Sequence, residues 1–376
     1  MLCPAARRHA GNVARVSTTS TDTETGTPQT RIRARADGSV GHLTLDRPQA
    51  LNALDLGMIG DLAAALDRWE RDPDIQVILL DGAGDRGLCA GGDVRGLYDR
   101  IVAGHPEDTG AFFRAEYALN ARIAEYPKPV VVFADGITMG GGIGLAGHAG
   151  VRVVTERSRL AMPETRIGFT PDVGGTWLLG RAPGRLGEYL GLTGAVMDAA
   201  DAIYAGFADH FVPSAHLGDL HEALVTRADP STPNELVLLF DETAAPSRLE
   251  AARPWIDAAF SAPTVAEILE RLRARPEPEA LATAETLAEL SPTGLAVTLD
   301  AVRAARGLPG LRDALAQEYG LVLWFAMTQP DLVEGIRAQL VDKDRSPRWQ
   351  PATLAELAPD VAAGALASVP ATPLWD

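Results

Sequence analysis

Met139-Gly140-Gly141-Gly142-Ile143-Gly144 lies at the centre of the stretch that decides the fold, residues 128–175. The apolar, β-branched run Pro129-Val-Val-Val-Phe-Ala134 precedes it and predicts a buried strand. Leu145-Ala-Gly-His-Ala-Gly150 follows it and predicts about two helical turns. Glycines at the start of a helix leave backbone N–H groups accessible to an anion, or to an oxygen that becomes negative during a reaction. Close packing of helix on sheet is the alternative explanation for the glycines.

The composition limits both the architecture and the class of partner. A chain of 376 residues with 46% hydrophobic and 22% charged residues can bury one large core and is typical of a soluble globular protein. No apolar run approaches the roughly 18 residues of a membrane span. The net charge of −16 argues against a nucleic-acid surface. Cys3, Cys89 and the scattered histidines predict neither a disulfide framework nor a metal site.

A second small-residue loop follows another predicted strand. Ile75-Gln-Val-Ile-Leu-Leu80 predicts a buried strand, and Leu88-Cys-Ala-Gly-Gly-Asp93 comes after it and opens a helix. Open α/β sheets place their ligands at the carboxyl ends of strands, so the two glycine loops form one site if they converge. One backbone N–H from each loop would then hold a single carbonyl oxygen, which is the geometry of an oxyanion hole.

Two acidic residues are candidates for proton transfer beyond the glycines. Prolines and glycines prevent a continuous helix in residues 162–175, so Glu164 and Asp172 are predicted on an irregular loop. Such a loop can bring both carboxylates into one partly apolar cavity, where their pKa values are tuned apart. The alternatives are a surface ion pair of Glu164 with Arg166 and a helix N-cap at Asp172.

A third acidic residue, Glu116, lies on the apolar stripe of a helix predicted over residues 112–123. A carboxylate on an apolar face costs free energy unless it is paired or lines a polar cavity. A boundary position, with the carboxylate extending into solvent, is the alternative.

Two rival interpretations of the same region are disfavoured. Residues 142–147 match the G-x-G-x-x-G pattern of dinucleotide-binding folds. However, residues 135–141 separate the strand from the motif, and Glu156 comes too early to bind a ribose. Cys89 has no adjacent His or Asn that would support a nucleophile, and it is interpreted as a buried packing residue.

The two ends of the chain differ from its centre. Residues 1–30 lack apolar periodicity, and we predict a disordered N-terminal extension. Its first part, up to Thr21, contains arginines and no acid, which is compatible with a transit peptide. A bacterial, cytoplasmic protein is the favoured interpretation, and a mitochondrial one is the alternative. From Asn234 onward the pattern predicts helices and no strands.

Several motifs together resemble the crotonase superfamily of enoyl-CoA hydratases and isomerases. They are Leu45-Asp-Arg-Pro48 with Asn52-Ala-Leu54, Cys89-Ala-Gly-Gly-Asp93, Gly136 with Gly140-Gly-Gly142, and Pro163-Glu164. The resemblance implies an α/β fold with a β-β-α spiral core over residues 31–230 and a C-terminal helical region over 231–376. It also implies acyl-CoA as the substrate, no further cofactor, and contacts of the substrate with Leu54 and Ala90. The two N–H groups of the oxyanion hole would belong to Gly92 and Gly141.

Further motifs resemble the 3-hydroxyisobutyryl-CoA hydrolases of that superfamily. They are residues 138–142, 161–165, 171–175 and 112–117, and in the tail 334–337, 342–347 and Trp349. The tail motifs predict that residues 231–376 complete the same enzyme. Family members often form trimers, so a homo-oligomer is a further expectation.

The resemblance also implies a reaction. Hydratases of the family carry a Glu at the position of Gly144, so a hydration mechanism with two Glu residues is disfavoured. The expected reaction is thioester hydrolysis, a step of valine catabolism, with Glu164 as nucleophile or general base. Asp172 and Glu116 would bind the substrate hydroxyl and orient Glu164. An enoyl-CoA isomerase, an atypical hydratase and a non-catalytic acyl-CoA-binding protein are the alternatives.

Overall fold

The computed structural model describes residues 31–226 and 232–375. Nine strands in these residues form two sheets. The strands are β1 (Ile32–Asp37), β2 (Val40–Leu45), β3 (Val77–Gly82), β4 (Gly87–Cys89), β5 (Val130–Ala134), β6 (Ile137–Met139), β7 (Val151–Val154), β8 (Arg159–Ala161) and β9 (His210–Phe211).

The larger sheet has six strands in the order β1-β2-β3-β5-β7-β9. β1 and β2 form an antiparallel hairpin in which Asp37 pairs with Val40, and Gly38 in the turn has φ +58°. Asp37-Gly38 is a hairpin signal in the sequence, because a turn with positive φ favours glycine. The remaining pairs are parallel, and β3, β5 and β7 are almost completely buried, as their β-branched composition predicts.

The smaller sheet consists of three short parallel strands in the order β4-β6-β8. Parallel strands present their carboxyl ends at one edge. Here β4 ends just before Ala90, β6 ends just before Gly140, and β8 ends three residues before Glu164. This sheet therefore brings the two glycine loops and the Pro-Glu motif together. The sequence analysis missed β4 and β6, because strands of three residues are too short to show a period.

Sixteen α-helices complete the described part of the chain. They are α1 (Leu56–Arg71), α2 (Val94–Val102), α3 (Thr109–Ala124), α4 (Gly141–Ala146), α5 (Gly175–Arg181), α6 (Leu186–Thr193), α7 (Ala199–Tyr204), α8 (Leu217–Thr226), α9 (Pro233–Val237), α10 (Arg248–Phe260), α11 (Val265–Arg273), α12 (Pro278–Ala288), α13 (Pro292–Ala305), α14 (Leu311–Thr328), α15 (Pro330–Ile336) and α16 (Val361–Leu366).

The helical C-terminal part packs on the α/β part. α13 contacts α5 and α6, and α14 contacts α3 and α5, so the C-terminal helices cover elements next to the glycine loops. Residues 232–375 contain no strand, which confirms the all-helical prediction for this region. None of the helices described combines the length and the apolar character that a membrane crossing requires.

Three local predictions need correction or lie outside the described residues. The helix predicted over residues 145–150 instead begins at Gly141, because Gly140 turns the chain with φ +48°, and it ends at Ala146. The loop predicted over residues 162–175 contains a short 3₁₀ helix, Glu164–Ile167. The two prolines within residues 229–233 suggest a linker in the sequence; most of this segment, like the extension at 1–30, falls outside the described residues, and Pro233 begins α9.

Candidate active site

A cavity of about 260 Å³ lies at the edge where β4, β6 and β8 end. This volume is near the lower limit of ligand pockets, which span roughly 300–1,000 Å³. Much of its wall is apolar, from Val94, Leu97, Phe112, Phe113, Ile167 and Phe169. Its polar wall contains the glycine loops, the acids Glu116, Glu164 and Asp172, and the side chains of Arg100, Arg166 and Gln339. A mostly apolar cavity with a few convergent polar groups is the usual form of a small-molecule site.

The two glycine loops meet in this cavity. Gly92 and Gly141 both line it, and a Cβ atom added to Gly141 would lie 3.1 Å from the backbone nitrogen of Gly92. Within the described residues, neither of these two N–H groups donates a hydrogen bond. The structure therefore provides two adjacent, free backbone donors from separate loops, as an oxyanion hole requires. Their role in binding an oxyanion stays a prediction.

Glycine is required in the second loop because carboxylates approach the backbone. A Cβ on Gly141 would lie 2.6 Å from Glu116 Oε1, and a Cβ on Gly140 would lie 2.9 Å from Glu164 Oε1. The alternative explanation, close packing, applies to Gly142, whose Cβ would overlap the backbone carbonyl of Cys89. Close packing therefore accounts for Gly142, whereas the role of Gly141 as a backbone donor stays a prediction.

Of the two residues predicted to contact substrate through the resemblance, Leu54 and Ala90, only one lies in the cavity. Ala90 lines the cavity, whereas Leu54 does not and is fully buried in the core. The backbone of Leu54 supports the first glycine loop, because its N–H donates to Gly91 O (2.8 Å) and its carbonyl accepts from Asp93 N (2.7 Å). Leu54 thus positions the loop, and its direct contact with substrate stays a prediction.

Glu164 faces the cavity from the first turn after β8. It is only 7% exposed, and its Oε2 has no hydrogen-bond partner among the residues described. The surface ion pair with Arg166 is wrong, because Arg166 donates instead to Thr193 O at 3.0 Å. Burial raises the pKa of Glu164 well above its usual range, and the negative charge of Asp172 raises it further.

The carboxylate of Asp172 is held by a hydrogen bond from a tyrosine side chain. Its Oδ2 accepts a hydrogen bond from Tyr117 Oη at 3.0 Å, and the residue is 6% exposed. The N-cap alternative is wrong, because Gly174 caps α5 and the Asp172 side chain makes no capping bond. Burial raises the pKa of Asp172 to about 7, against the opposing effect of the Tyr117 hydrogen bond.

Glu116 also lies inside the cavity and not at a solvent boundary. It is 2% exposed, and its Oε1 has no partner in the described part of the chain. Burial raises its pKa well above the usual range, with a further contribution from the charge of Asp172. Three carboxyl groups thus share one cavity, and burial raises the pKa of each, which favours the protonated forms of these acids.

Sequence reasoning missed two residues that support the acids, Tyr117 and Glu318. Tyr117 is fully buried on α3, and Glu318 is fully buried on α14. Glu318 accepts hydrogen bonds from the backbone N–H groups of Gly174 and Thr176 at 2.6 and 2.8 Å. The argument used for Glu116, a carboxylate among apolar helix residues, would have identified Glu318 as well.

Cys89 is not a nucleophile in this site. The side chain is fully buried, and burial raises the pKa of its thiol to about 12, so a thiolate is not available at neutral pH. This agrees with the interpretation of Cys89 as a packing residue.

One group of side chains has the composition of a metal site. Ligand atoms of Asp37, His42 and His221 lie within 4.8 Å of one another, and none of these residues lines the cavity. A side chain already binds these ligand atoms, because the guanidinium of Arg35 donates to Asp37 Oδ2 at 2.7 Å and to His42 Nδ1 at 2.8 Å. The prediction of no metal and no cofactor stays a prediction.

Comparison with known proteins identifies a family of similar sequence and fold. The sequence model described as enoyl-CoA hydratase/isomerase matches residues 40–366. Among solved structures, a carnitinyl-CoA dehydratase from Mycobacterium thermoresistibile is 44% identical and superimposes with a TM-score of 0.86, over 91% of this chain and 97% of that chain. An enoyl-CoA hydratase from Rhodobacter sphaeroides 2.4.1 is 44% identical with a TM-score of 0.84, over 90% and 98%. The predicted crotonase-like fold is thereby confirmed.

Curated relatives give a second comparison. The mitochondrial 3-hydroxyisobutyryl-CoA hydrolase of Danio rerio is 42% identical over 326 residues, which are 85% of this chain and 84% of the relative. The protein of the same name from Homo sapiens is 40% identical over 328 residues, with the same coverage of 85% and 84%. A match over 85% of the chain necessarily includes part of the C-terminal helical region.

Proposed function

The chain belongs to the enoyl-CoA hydratase/isomerase family, and we propose that it is an acyl-CoA thioester hydrolase that cleaves a short 3-hydroxyacyl-CoA. The relatives at 40–42% identity carry the name 3-hydroxyisobutyryl-CoA hydrolase, and they match 85% of the chain. We propose 3-hydroxyisobutyryl-CoA as the substrate and a step of valine catabolism as the setting. The products are the free hydroxy acid and CoA.

One observation carries the choice of hydrolysis over hydration. A Cβ atom on Gly144 would lie 2.7 Å from Asn120 Nδ2 and 2.7 Å from Val173 Cβ. Real Cβ atoms do not tolerate such distances, so the site excludes a second Glu at the position where hydratases of the family carry one. Of the two glutamates that hydratases of the family use, this chain then has only Glu164. A single glutamate suits water activation or direct attack on a thioester.

The oxyanion hole supports the same chemistry. The thioester carbonyl oxygen lies between the N–H groups of Gly92 and Gly141, and it gains negative charge as the carbonyl carbon becomes tetrahedral. Donors that are fixed in place before the reaction stabilise this charge by about 3 kcal/mol each. An enclosed, mostly apolar cavity strengthens the effect, because water does not compete.

Glu164 performs one of two balanced sequences. As a general base it takes a proton from water, hydroxide adds to the carbonyl carbon, and the tetrahedral intermediate expels the CoA thiolate. As a nucleophile its carboxylate displaces the thiolate to form an anhydride, which water then hydrolyses. In both sequences the thiolate takes a proton, and Asp172 and Glu116 are acids in the cavity whose raised pKa values suit proton donation.

The cavity size and the remaining carboxyls favour a short hydroxylated acyl group. A volume of about 260 Å³ is small for a ligand pocket and disfavours a long acyl chain. The oxygens of Asp172 and Glu116 are acceptors for a substrate hydroxyl, and Glu116 Oε1 is without a partner among the residues described. A hydroxyl at carbon 3 would complete this hydrogen bonding, and it would orient the acyl group relative to Glu164.

Hydration of an enoyl-CoA is the second candidate, because the two solved structures at 44% identity are named a dehydratase and a hydratase. The two reactions differ in whether free thiol appears. Incubation with 3-hydroxyisobutyryl-CoA and a thiol reagent, beside crotonyl-CoA followed by its enoyl absorbance, separates them. Thiol release dependent on Glu164 supports the hydrolase. Loss of enoyl absorbance without thiol supports the hydratase, and activity in neither assay supports a binding protein.

The compartment is a separate part of the proposal. The relatives are named mitochondrial, which agrees with the organellar alternative and gives no support to the cytoplasmic prediction. A fluorescent fusion of residues 1–30, expressed in eukaryotic cells, tests the alternative. Mitochondrial fluorescence supports a transit peptide, and diffuse cytosolic fluorescence contradicts it.

A further inference from the structure

The turn that carries Asp172 has an unusual backbone. Val173 has φ +54°, and Gly174, which follows it, has φ +78°. A positive φ is unfavourable for a β-branched residue, so surrounding contacts must hold the turn in this conformation. Asp172 immediately precedes the turn, and its backbone carbonyl accepts from Gly175 N at 2.7 Å. The direction of the Asp172 side chain therefore depends on what holds residues 173–176.

Glu318 holds the turn from the C-terminal region. Its Oε2 accepts from Gly174 N at 2.6 Å, and its Oε1 accepts from Thr176 N at 2.8 Å and from Thr176 Oγ1 at 2.5 Å. Glu318 is completely buried and does not line the cavity, so it acts on these groups and not on a ligand there. These hydrogen bonds at the start of α5 oppose the effect of burial, which raises the pKa of Glu318 to about 8.

A histidine side chain also binds the backbone of this turn. His148 Nε2 lies 2.8 Å from the backbone carbonyl oxygen of Val173. Burial lowers the pKa of His148 to about 4, so its ring is neutral and donates one N–H here. His148 and Glu318, from different parts of the chain, thus hydrogen-bond to the backbone of residues 173–176, which explains how a strained residue persists.

We propose that Glu318 is a positioning residue for the reaction: it fixes the strained turn that directs the Asp172 carboxylate into the cavity beside Glu164. The inference rests on the proposed function for its kinetic part. It assigns to the C-terminal helix α14 a direct effect on the reaction, although α14 lies more than 130 residues after the turn in sequence.

A purely structural role is the competing explanation, in which Glu318 only ties α14 to α5. Glu188 provides a matched control for that explanation. It is also a completely buried carboxylate on a helix, but it pairs with Arg185 at 2.8 Å and Arg306 at 2.6 Å and does not line the cavity. Glu188→Gln and Glu318→Gln both replace a buried carboxylate by an amide, and only Glu318→Gln disturbs the turn.

The kinetic test is a double-mutant cycle on thiol release from 3-hydroxyisobutyryl-CoA. In Glu318→Gln the amide NH₂ group faces an N–H donor of the turn, so we expect kcat to fall about tenfold with little change in KM. In a background that already carries Asp172→Asn, Glu318→Gln should lower kcat by less than about threefold, because the two residues act as one unit. Independent, multiplying effects overturn the proposal, as does an equal loss of kcat in Glu188→Gln.

A second measurement does not depend on the substrate. Hydrogen–deuterium exchange should be faster at residues 172–178 in Glu318→Gln than in the wild type, and unchanged there in Glu188→Gln. Equal exchange in Glu318→Gln and the wild type overturns the inference. If the wild type releases no thiol, the proposed function fails, and exchange still decides whether Glu318 holds the turn.

Thr176→Val keeps the test decisive if Glu318→Gln does not fold. This variant removes one hydrogen-bond donor to Glu318 and changes no charge or volume of note. We expect a loss of kcat of about threefold, smaller than for Glu318→Gln, and faster exchange at Thr176 and its neighbours. Wild-type kcat together with wild-type exchange would overturn the inference.

Discussion

Tyr117 Oη donates a hydrogen bond to Asp172 Oδ2 across 3.0 Å, although 55 positions separate the two residues. The contact joins α3 to the turn before α5, and it is the one polar side-chain contact that fixes the position of the Asp172 carboxylate within the described residues. It also opposes burial, which raises the pKa of Asp172 to about 7. Asp172 therefore titrates near neutral pH in a cavity that also contains Glu116 and Glu164.

Tyr117→Phe should raise the pKa of Asp172 further, because the hydrogen bond favours the charged carboxylate. We expect kcat for thiol release to fall about fivefold, the equivalent of about 1 kcal/mol for one lost hydrogen bond. Steady-state kinetics between pH 5 and 9 measures both effects. Tyr126→Phe is the control, since Tyr126 donates to Leu66 O and does not line the cavity. Equal profiles for the two variants would contradict the assignment.

Asp172→Asn should shift the acid limb of kcat/KM to lower pH while reducing the maximal rate. Burial is the largest cause of the raised pKa of Glu164, and the negative charge of Asp172 is the second. Removing that charge lowers the pKa of Glu164, so Glu164 ionises at lower pH. The ratio of kcat/KM at pH 5.5 to that at pH 7.5 should therefore rise in the variant. An unchanged or smaller ratio argues against a reaction that needs ionised Glu164 beside Asp172.

The same variant tests the stability that Asp172 contributes. Its folded pKa, about 7, is above the usual value of 3.8, so the folded state binds this proton more tightly than the unfolded state. The contribution to the free energy of unfolding is complete below about pH 4 and is lost as pH rises through 7. Asn does not titrate, so the stability of the wild type relative to Asp172→Asn should fall between pH 4 and 8. Urea unfolding at several pH values measures it, and a difference that is constant or grows with pH refutes the raised pKa.

Gly144→Ala should lower the free energy of unfolding by about 1–3 kcal/mol, the usual cost of overpacking. Its Cβ atom would overlap Asn120 Nδ2 and Val173 Cβ. Gly60→Ala on α1 is the matched control, because its Cβ atom meets nothing within 4 Å, and it should be neutral or stabilising by up to about 1 kcal/mol. Denaturant unfolding compares the two variants. A Gly144→Ala protein as stable as Gly60→Ala would show that position 144 can accommodate a side chain. The steric argument against a hydratase would then fail.

Local sequence signals predicted most of the fold. The β-branched runs at residues 75–80 and 129–134 correspond to observed strands, because such patterns depend on neighbours in sequence. The strands β4 and β6 were missed, since three residues carry no period and their pairing depends on tertiary contacts.

The site was predicted in part for the same reason. The acids Glu116, Glu164 and Asp172 were identified from their place in apolar or irregular segments, and the structure brings all three into one cavity. Tyr117 was missed because its partner Asp172 is 55 positions away, and a tyrosine on a helix gives no sign of such a partner before the fold is known. Glu318 was missed although its place among apolar residues of α14 is the same signal that identified Glu116; its partner Gly174, 144 positions away, could not be read from the sequence.

The most direct test of the central claim is thiol release from 3-hydroxyisobutyryl-CoA by the wild type and by Glu164→Gln, with circular dichroism to verify the fold of both. The wild type should release one equivalent of thiol for each substrate consumed. Loss of a nucleophile or general base should lower kcat in Glu164→Gln by at least about 100-fold. Near-normal turnover in a folded Glu164→Gln protein, or a wild type that releases no thiol, would contradict the account.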